Sequence, residues 1–306
     1  MDPKPGPIVV VGAHAAALFM YVSAVPKEGE TVLGWGFHEP EDGGKATNQA
    51  ISAALLGAPA ALVTVVGNDD RGKRARASLE RAGVDTERVV EVEGATDVGF
   101  LMLPPSRIPA ITSAQDRSRD LDARTVEAAA DLIRSASFVV CQLEAPQEAA
   151  TTAFRIARAA GARTVFNPAP AENLEPELLS LTDILIPNEH EAAALVGSEQ
   201  PPTELAERLA ARHPDLDVVV TAGADGAYVV EHGAADVTHV AAPEVDQVVD
   251  TTGAGDAFIG ALVARLRHGD ELTTAAKFAV RAASVSVARP GTIPAFATAA
   301  DMGGAE

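Results

Sequence analysis

Residues 248–258 read Val-Val-Asp-Thr-Thr-Gly-Ala-Gly-Asp-Ala-Phe, which sets a carboxylate, Asp256, directly behind the second of two closely spaced glycines. Val245–Asp250 is predicted to end as a strand and Ala257–Leu266 has apolar residues at helical spacing, so the glycines fall in a strand-to-helix turn. Without Cβ atoms at Gly253 and Gly255, a bulky anion can approach the backbone, and the first helical N–H groups point toward it. Such a turn can receive a phosphoryl group, with Asp256 placed to take the proton of an incoming hydroxyl. The same residues also fit a plain turn in which Asp256 is the helix N-cap.

A second polar pair occurs in Pro-Asn-Glu-His-Glu-Ala-Ala-Ala-Leu-Val-Gly (187–197). Asn188 and Glu191 match a capping box, in which each side chain satisfies the other's backbone N–H. At the carboxyl edge of a sheet, Glu191 could also hold Mg²⁺ through waters, because that cation prefers carboxylate and phosphate oxygens. The stretch Glu-Asp-Gly-Gly-Lys-Ala-Thr-Asn-Gln-Ala (41–50) is not a phosphate-binding Walker loop: position 39 is Glu39 and no Ser or Thr follows Lys45. Lys45, Asn48 and Gln49 could instead donate hydrogen bonds to a polyol or a phosphate. Residues 218–230 read as a strand, a turn closed by Asp225 and Gly226, and a returning strand.

The elements that must carry these residues alternate. Apolar runs at Ile8–Val11, Ala61–Val65, Phe138–Gln142, Thr164–Asn167, Ile184–Ile186, Val218–Thr221 and Ala227–Val230 read as strands. Helical patterns lie between them at Thr47–Leu56, Gly72–Ala82, Ala123–Ser135, Glu148–Ala160, Thr203–Ala211, Ala257–Leu266 and Thr273–Ala288. Alternation of this kind predicts an α/β fold, a mainly parallel sheet covered by helices. Met20–Glu41 and Thr96–Ile111 break the rhythm, rich in Gly, Pro and β-formers, and could pair into a small separate sheet. No low-complexity linker divides the 306 residues.

Composition narrows the chemistry. A formal charge of −19 argues against broad contact with nucleic acid or anionic lipid, both of which need a basic surface. Cys141 stands alone, so the chain forms no internal disulfide, which fits a reducing cytoplasm. The apolar stretch Ile8–Val25 reads as a first strand rather than a leader or a membrane span, since an acid and three prolines precede it. There is no Gly-x-Gly-x-x-Gly after that strand, no His-Glu-x-x-His and no Gly-x-Ser-x-Gly, which disfavours dinucleotide, zinc and serine-hydrolase chemistry.

Taken in order, the segments GGKATNQA, GNDDRG, QLEAPQE, NPAPAENLEPELLSLTDILIPNEHEA, TAGADG, VVDTTGAGDAF and ARPGTIP resemble the PfkB family of carbohydrate kinases, most closely its ribokinase branch, over nearly the whole chain. The resemblance implies one ribokinase-like three-layer domain over residues 1–306 with a β-sheet lid at about 14–43 and 95–112. It implies ATP-dependent phosphorylation of a hydroxymethyl group on a small sugar or polyol, a Mg²⁺ requirement, and a homodimer joined through the lids. It makes Asp256 the general base and Gly253, Ala254 and Gly255 the anion hole. Asn188 and Glu191 become the phosphate and Mg²⁺ neighbourhood, and Thr221, Gly223 and Gly226 the nucleotide edge. Gly44, Lys45, Asn48 and Glu144 fall at sugar contacts, and Asp250 with carbonyls of the 286–291 loop matches a monovalent-cation (K⁺) site. Ala295 stands where ribokinases carry a serine ligand, which weakens that last match.

The acceptor half departs from the pattern. Ribokinases read Gly-Ser-Ile-Asn-Ala-Asp after the first strand, and its amide and carboxylate bind sugar hydroxyls. Here the stretch is Gly12-Ala13-His14-Ala15-Ala16-Ala17. His14 could replace one lost contact, and Arg107, in an equally unusual second lid segment, could favour an acceptor bearing a carboxylate or phosphate. The reading is therefore a kinase for a small sugar or polyol other than ribose; the alternatives are a nucleoside kinase and a nucleotide- or sugar-binding sensor without turnover.

Overall fold

A computed structural model describes residues 6–40, 43–106, 110–171, 173–234 and 236–303. Arg107 lies outside them, as do positions 41–42 and 108–109 of the expected lid segments. The strands in chain order are β1 (Ile8–Val11), β2 (Ala16–Val22), β3 (Gly34–His38), β4 (Ala60–Gly67), β5 (Val89–Val92), β6 (Val98–Leu103), β7 (Ala110–Ala114), β8 (Phe138–Cys141), β9 (Arg163–Phe166), β10 (Ile184–Leu185), β11 (Asp217–Thr221), β12 (Ala227–Val230) and β13 (Thr238–Val240). The helices are α1 (Lys45–Leu55), α2 (Asp70–Arg81), α3 (Ala123–Ala128), α4 (Ala130–Ser135), α5 (Gln147–Ala159), α6 (Pro176–Ser180), α7 (Glu189–Val196), α8 (Pro202–Arg212), α9 (Ala254–His268) and α10 (Leu272–Val287).

Nine strands form one sheet in the order β13-β12-β11-β10-β9-β8-β1-β4-β5. From β5 to β11 neighbouring strands run parallel, and β12 turns back against both β11 and β13. A parallel sheet is covered on both faces, so its strands are apolar throughout: every residue of β1, Ile-Val-Val-Val, is buried. Ile8 and Val10 pack toward α1, α2, α9 and α10, whereas Val9 and Val11 pack toward the α3–α8 layer.

The two irregular segments do pair into a second sheet, ordered β3-β2-β6-β7. Its central pair, β2 and β6, is parallel and the outer pairs are antiparallel. The first of these strands begins earlier than predicted, at Ala16, so the apolar run that opens the chain is divided between two sheets.

Two predicted elements need correction, and two strands are added. Val245–Asp250 is not a strand: the N–H groups of Val249 and Asp250 donate to the carbonyl of Val287 at the end of α10, and the sheet position beyond β12 is taken by β13. The helix predicted over Ala123–Ser135 is two helices, because Ala129 leaves helical geometry at φ −97°, ψ 8°. The short strands β5 and β13 carry exposed residues and no long apolar run, and were not predicted.

Candidate active site

The turn before α9 sets the centre of the site. Gly253 is its N-cap at φ 75°, a left-handed geometry, and a Cβ there would lie 2.3 Å from the Thr292 methyl. At Gly255 a Cβ would meet only open space, so it is this glycine that leaves room for a ligand over the helix N-terminus. Asp256 is the third helical residue, which removes the reading of it as the N-cap. Its carboxylate is buried and held from both sides: Asn48 Nδ2 donates to Oδ2 and Gln49 Nε2 to Oδ1, each at 2.9 Å. Gln49 is therefore an orienting residue for Asp256, and is itself fixed by Gln142 and by Asn167 at 3.4 Å.

Two cavities meet at this turn. The smaller, about 360 Å³, brings together Gly44, Lys45, Asn48, Glu144, Gly253 and Asp256 under the second sheet. The larger, about 630 Å³, is lined by Asn188, Thr221, Gly223, Gly226, Ala254 and Gly255, with Val245, Val248 and Phe258 as apolar walls. Thr251 lines both. The first turn of α9 thus separates the two cavities and presents Asp256 to the smaller and Gly255 to the larger.

The Gly43–Gly44 pair gives the smaller cavity its shape. A Cβ on Gly43 would fall 1.7 Å from the Ala15 carbonyl and one on Gly44 would fall 2.8 Å from that of Ala13. Only glycine lets this turn press against the backbone of residues 13–15 and start α1 with Lys45 facing Glu144. The Lys45 N–H donates to Glu144 Oε2 at 2.8 Å, and its Nζ lies 3.7 Å from Oε1. Burial alone would lower the Lys45 pKa, but Glu144, Asp256 and Glu191 together hold it above its usual value, so the ammonium persists. Burial pushes the carboxyl groups of Asp256 and Glu144 above the ordinary carboxylate range, against the pull of Lys45. Among the described residues Asn48 Oδ1 is buried without a hydrogen-bond partner, and Asn48 lines the cavity.

Asn188 and Glu191 close the expected capping box at the start of α7, with both bonds at 2.8 Å. The box uses Glu191 Oε2 alone, and burial raises the pKa of this side chain. Asp250 accepts from Thr252 N–H at 2.9 Å and from Gly291 N–H at 3.2 Å, tying the 286–291 loop to the glycine turn. His14 stands apart from the other expected contacts. Its side chain is buried, Nδ1 lies 2.9 Å from Thr47 Oγ1, and burial lowers its pKa to about 4. Ala13, Ala15 and Ala17 line the cavity on either side of it, and His14 does not. Gln142, Asn167 and Asp97 are polar groups of this region that the sequence reading passed over.

The sequence matches the family described as pfkB family carbohydrate kinase over residues 8–299. The chain belongs to the PfkB family. It is 33% identical to a ribokinase of Haemophilus influenzae over 93% of each chain, and 30% identical to a deoxyribokinase of Salmonella typhi over 93% of this chain and 94% of the other. The ribokinase of Arabidopsis thaliana, solved with ribose and ATP, superposes with a TM-score of 0.89 at 28% identity, covering 99% of this chain and 98% of that one. As a PfkB carbohydrate kinase the chain is a phosphotransferase with an alcohol group as acceptor. Its fold is ribokinase-like, as the resemblance implied.

Proposed function

We propose that this PfkB kinase transfers the γ-phosphoryl of ATP to a hydroxymethyl group of a small sugar or polyol carrying fewer hydroxyls than ribose. The observation that carries this reading is the position of Asp256, buried, held by two amide donors, and set where the smaller cavity meets the glycine turn. The acceptor lies in the smaller cavity, contacting Lys45, Asn48 and Glu144, and the second sheet acts as its lid. The nucleotide lies in the larger cavity against Thr221, Gly223 and Gly226. Asp256 takes the hydroxyl proton as the oxygen attacks, while the N–H groups around Gly253, Ala254 and Gly255 receive the charge spread over the moving phosphoryl oxygens. Catalysis by such a site is mostly positioning and charge stabilisation.

Among the described residues no three His, Cys, Asp or Glu side chains gather into a metal cluster. A Mg²⁺ ion that keeps its waters and leans on phosphates needs only one or two carboxylates, and Glu191 with its unused oxygen fits that demand. When bound, the ion neutralises phosphate charge. A K⁺ ion fits less completely: both Asp250 oxygens already accept backbone bonds and Ala295 offers no side-chain oxygen. The lid carries exposed Tyr21, Leu33, Trp35 and Phe37, a surface that a second copy of the chain would cover in a homodimer. Among the described residues no helix is long and apolar enough to cross a membrane, and the lone buried Cys141 accords with a cytoplasmic enzyme.

Glu191→Gln tests the metal assignment. Glutamine can still close the capping box, so the melting temperature is expected to stay near wild type while the Mg²⁺ concentration for half-maximal rate rises. A sharp fall in melting temperature with an unchanged Mg²⁺ dependence would reduce Glu191 to a cap.

A further inference from the structure

Ala15 and Ala17 leave the β2 side of the acceptor cavity without polar side chains, yet the neighbouring strand brings a carboxylate to the same cavity. Asp97 immediately precedes β6. The parallel register pairs Ala16 with Val98 and Ala17 with Gly99, and Ala16 N–H donates to the Asp97 carbonyl at 2.8 Å, which lays Asp97 beside Ala15. Asp97 is 3% exposed and lines the cavity with Ala15, Ala17, Asn48 and Asp256.

Its side chain is fixed by three backbone donors. Oδ1 accepts from the N–H groups of Asp116 at 2.8 Å and Arg117 at 2.6 Å, and Oδ2 accepts from that of Ser118 at 2.7 Å. Three such bonds hold the carboxyl group in one orientation. A carboxylate has about four lone-pair sites, so the three donors found among the described residues leave one open, on Oδ2. Ser118 and Gln115 line the same stretch of wall.

Resting on the kinase reading above, we propose that Asp97 is a specificity-determining residue: it accepts an acceptor hydroxyl from the β6 side, in place of the contacts that Ala15 and Ala17 cannot make. The cavity then selects an acceptor with a hydroxyl toward Asp97 and an apolar, deoxygenated edge toward β2. The carboxylate has in effect moved one strand across the lid.

Because the same carboxylate also ties residues 116–118 to β6, the test must separate recognition from scaffolding. Steady-state kcat and KM are measured for ribose, 2-deoxyribose and erythritol, with calorimetric binding and melting temperature, in wild type, Asp97→Gly and Asp97→Gly/Ala17→Asp. Loss of one charged hydrogen bond is expected to raise KM for the best wild-type acceptor roughly ten- to hundredfold in Asp97→Gly, with a smaller change in kcat. The double variant, which returns a carboxylate to β2, is expected to recover acceptor binding and to turn preference toward ribose. A uniform loss for every acceptor that follows the melting temperature, with nothing recovered by Ala17→Asp, would overturn the role of Asp97 alone. A wild-type protein that neither binds nor phosphorylates any of the three would overturn this inference together with the kinase reading.

Discussion

Asp256→Asn is expected to lower kcat by at least ~10²-fold, the usual scale for a positioned general base, while the fold and nucleotide binding persist. The amide can still accept one of the two bonds from Asn48 and Gln49, but its NH₂ then faces another NH₂ and cannot take a proton. Removing the buried charge offsets part of that loss, so the melting temperature should move little. Burial holds the Asp256 pKa above the ordinary carboxylate range, and a base works only when deprotonated. The acid limb of wild-type kcat/KM is therefore expected at higher pH than for a solvated aspartate, and the residual activity of the variant should lack it. Coupled ADP release and nucleotide calorimetry check the result; a variant keeping half of wild-type turnover would leave Asp256 as an orienting residue only.

Ribose is expected to be a poor acceptor for the unmodified protein. Ala15 and Ala17 offer methyl groups where the ribokinase pattern has an amide and a carboxylate, and both line the acceptor cavity. Sugar hydroxyls entering there give up water without regaining partners, at roughly 1–3 kcal/mol for each unpaired group. Two such losses amount to a handicap of roughly thirty- to twenty-five-thousand-fold in kcat/KM. Phe19 and Leu101, on the same cavity wall, favour an acceptor with an apolar edge. Ala15→Asn/Ala17→Asp should recover ribose turnover at the expense of less hydroxylated acceptors. A wild-type kcat/KM for ribose above ~10⁴ M⁻¹s⁻¹, within the ordinary enzyme range, would show that other groups have replaced both contacts.

How much of this was legible in the sequence depends on the range over which each feature is encoded. The capping box at Asn188 and Glu191 spans three residues and the glycine turn before α9 spans two, so local spacing was enough to find both. The buried strands announced themselves as continuous apolar runs because both faces of a parallel sheet are covered. Val245–Asp250 is apolar only at Val245, Val248 and Val249; Val248 and Val249 are 54% and 38% exposed, and the N–H groups of Val249 and Asp250 serve the end of α10. At Ala129 no glycine or proline marks the break between α3 and α4. The hydrogen bonds that orient Asp256 join residues 207 and 208 positions apart, and Asp97 reaches its cavity only through the pairing of β2 with β6. Partnerships of that kind are a property of the folded topology, and no local pattern reports them.

The central claim is that Asp256 and the glycine turn move a phosphoryl group onto a hydroxymethyl oxygen. It is tested most directly by the proton-coupled ³¹P spectrum of the product formed from ATP, Mg²⁺ and the acceptor of highest turnover. The account predicts a phosphate monoester resonance split into a triplet by two methylene hydrogens, appearing in step with ADP and nearly absent with Asp256→Asn. ADP accompanied only by the unsplit resonance of inorganic phosphate, or a doublet from a secondary ester, would contradict it.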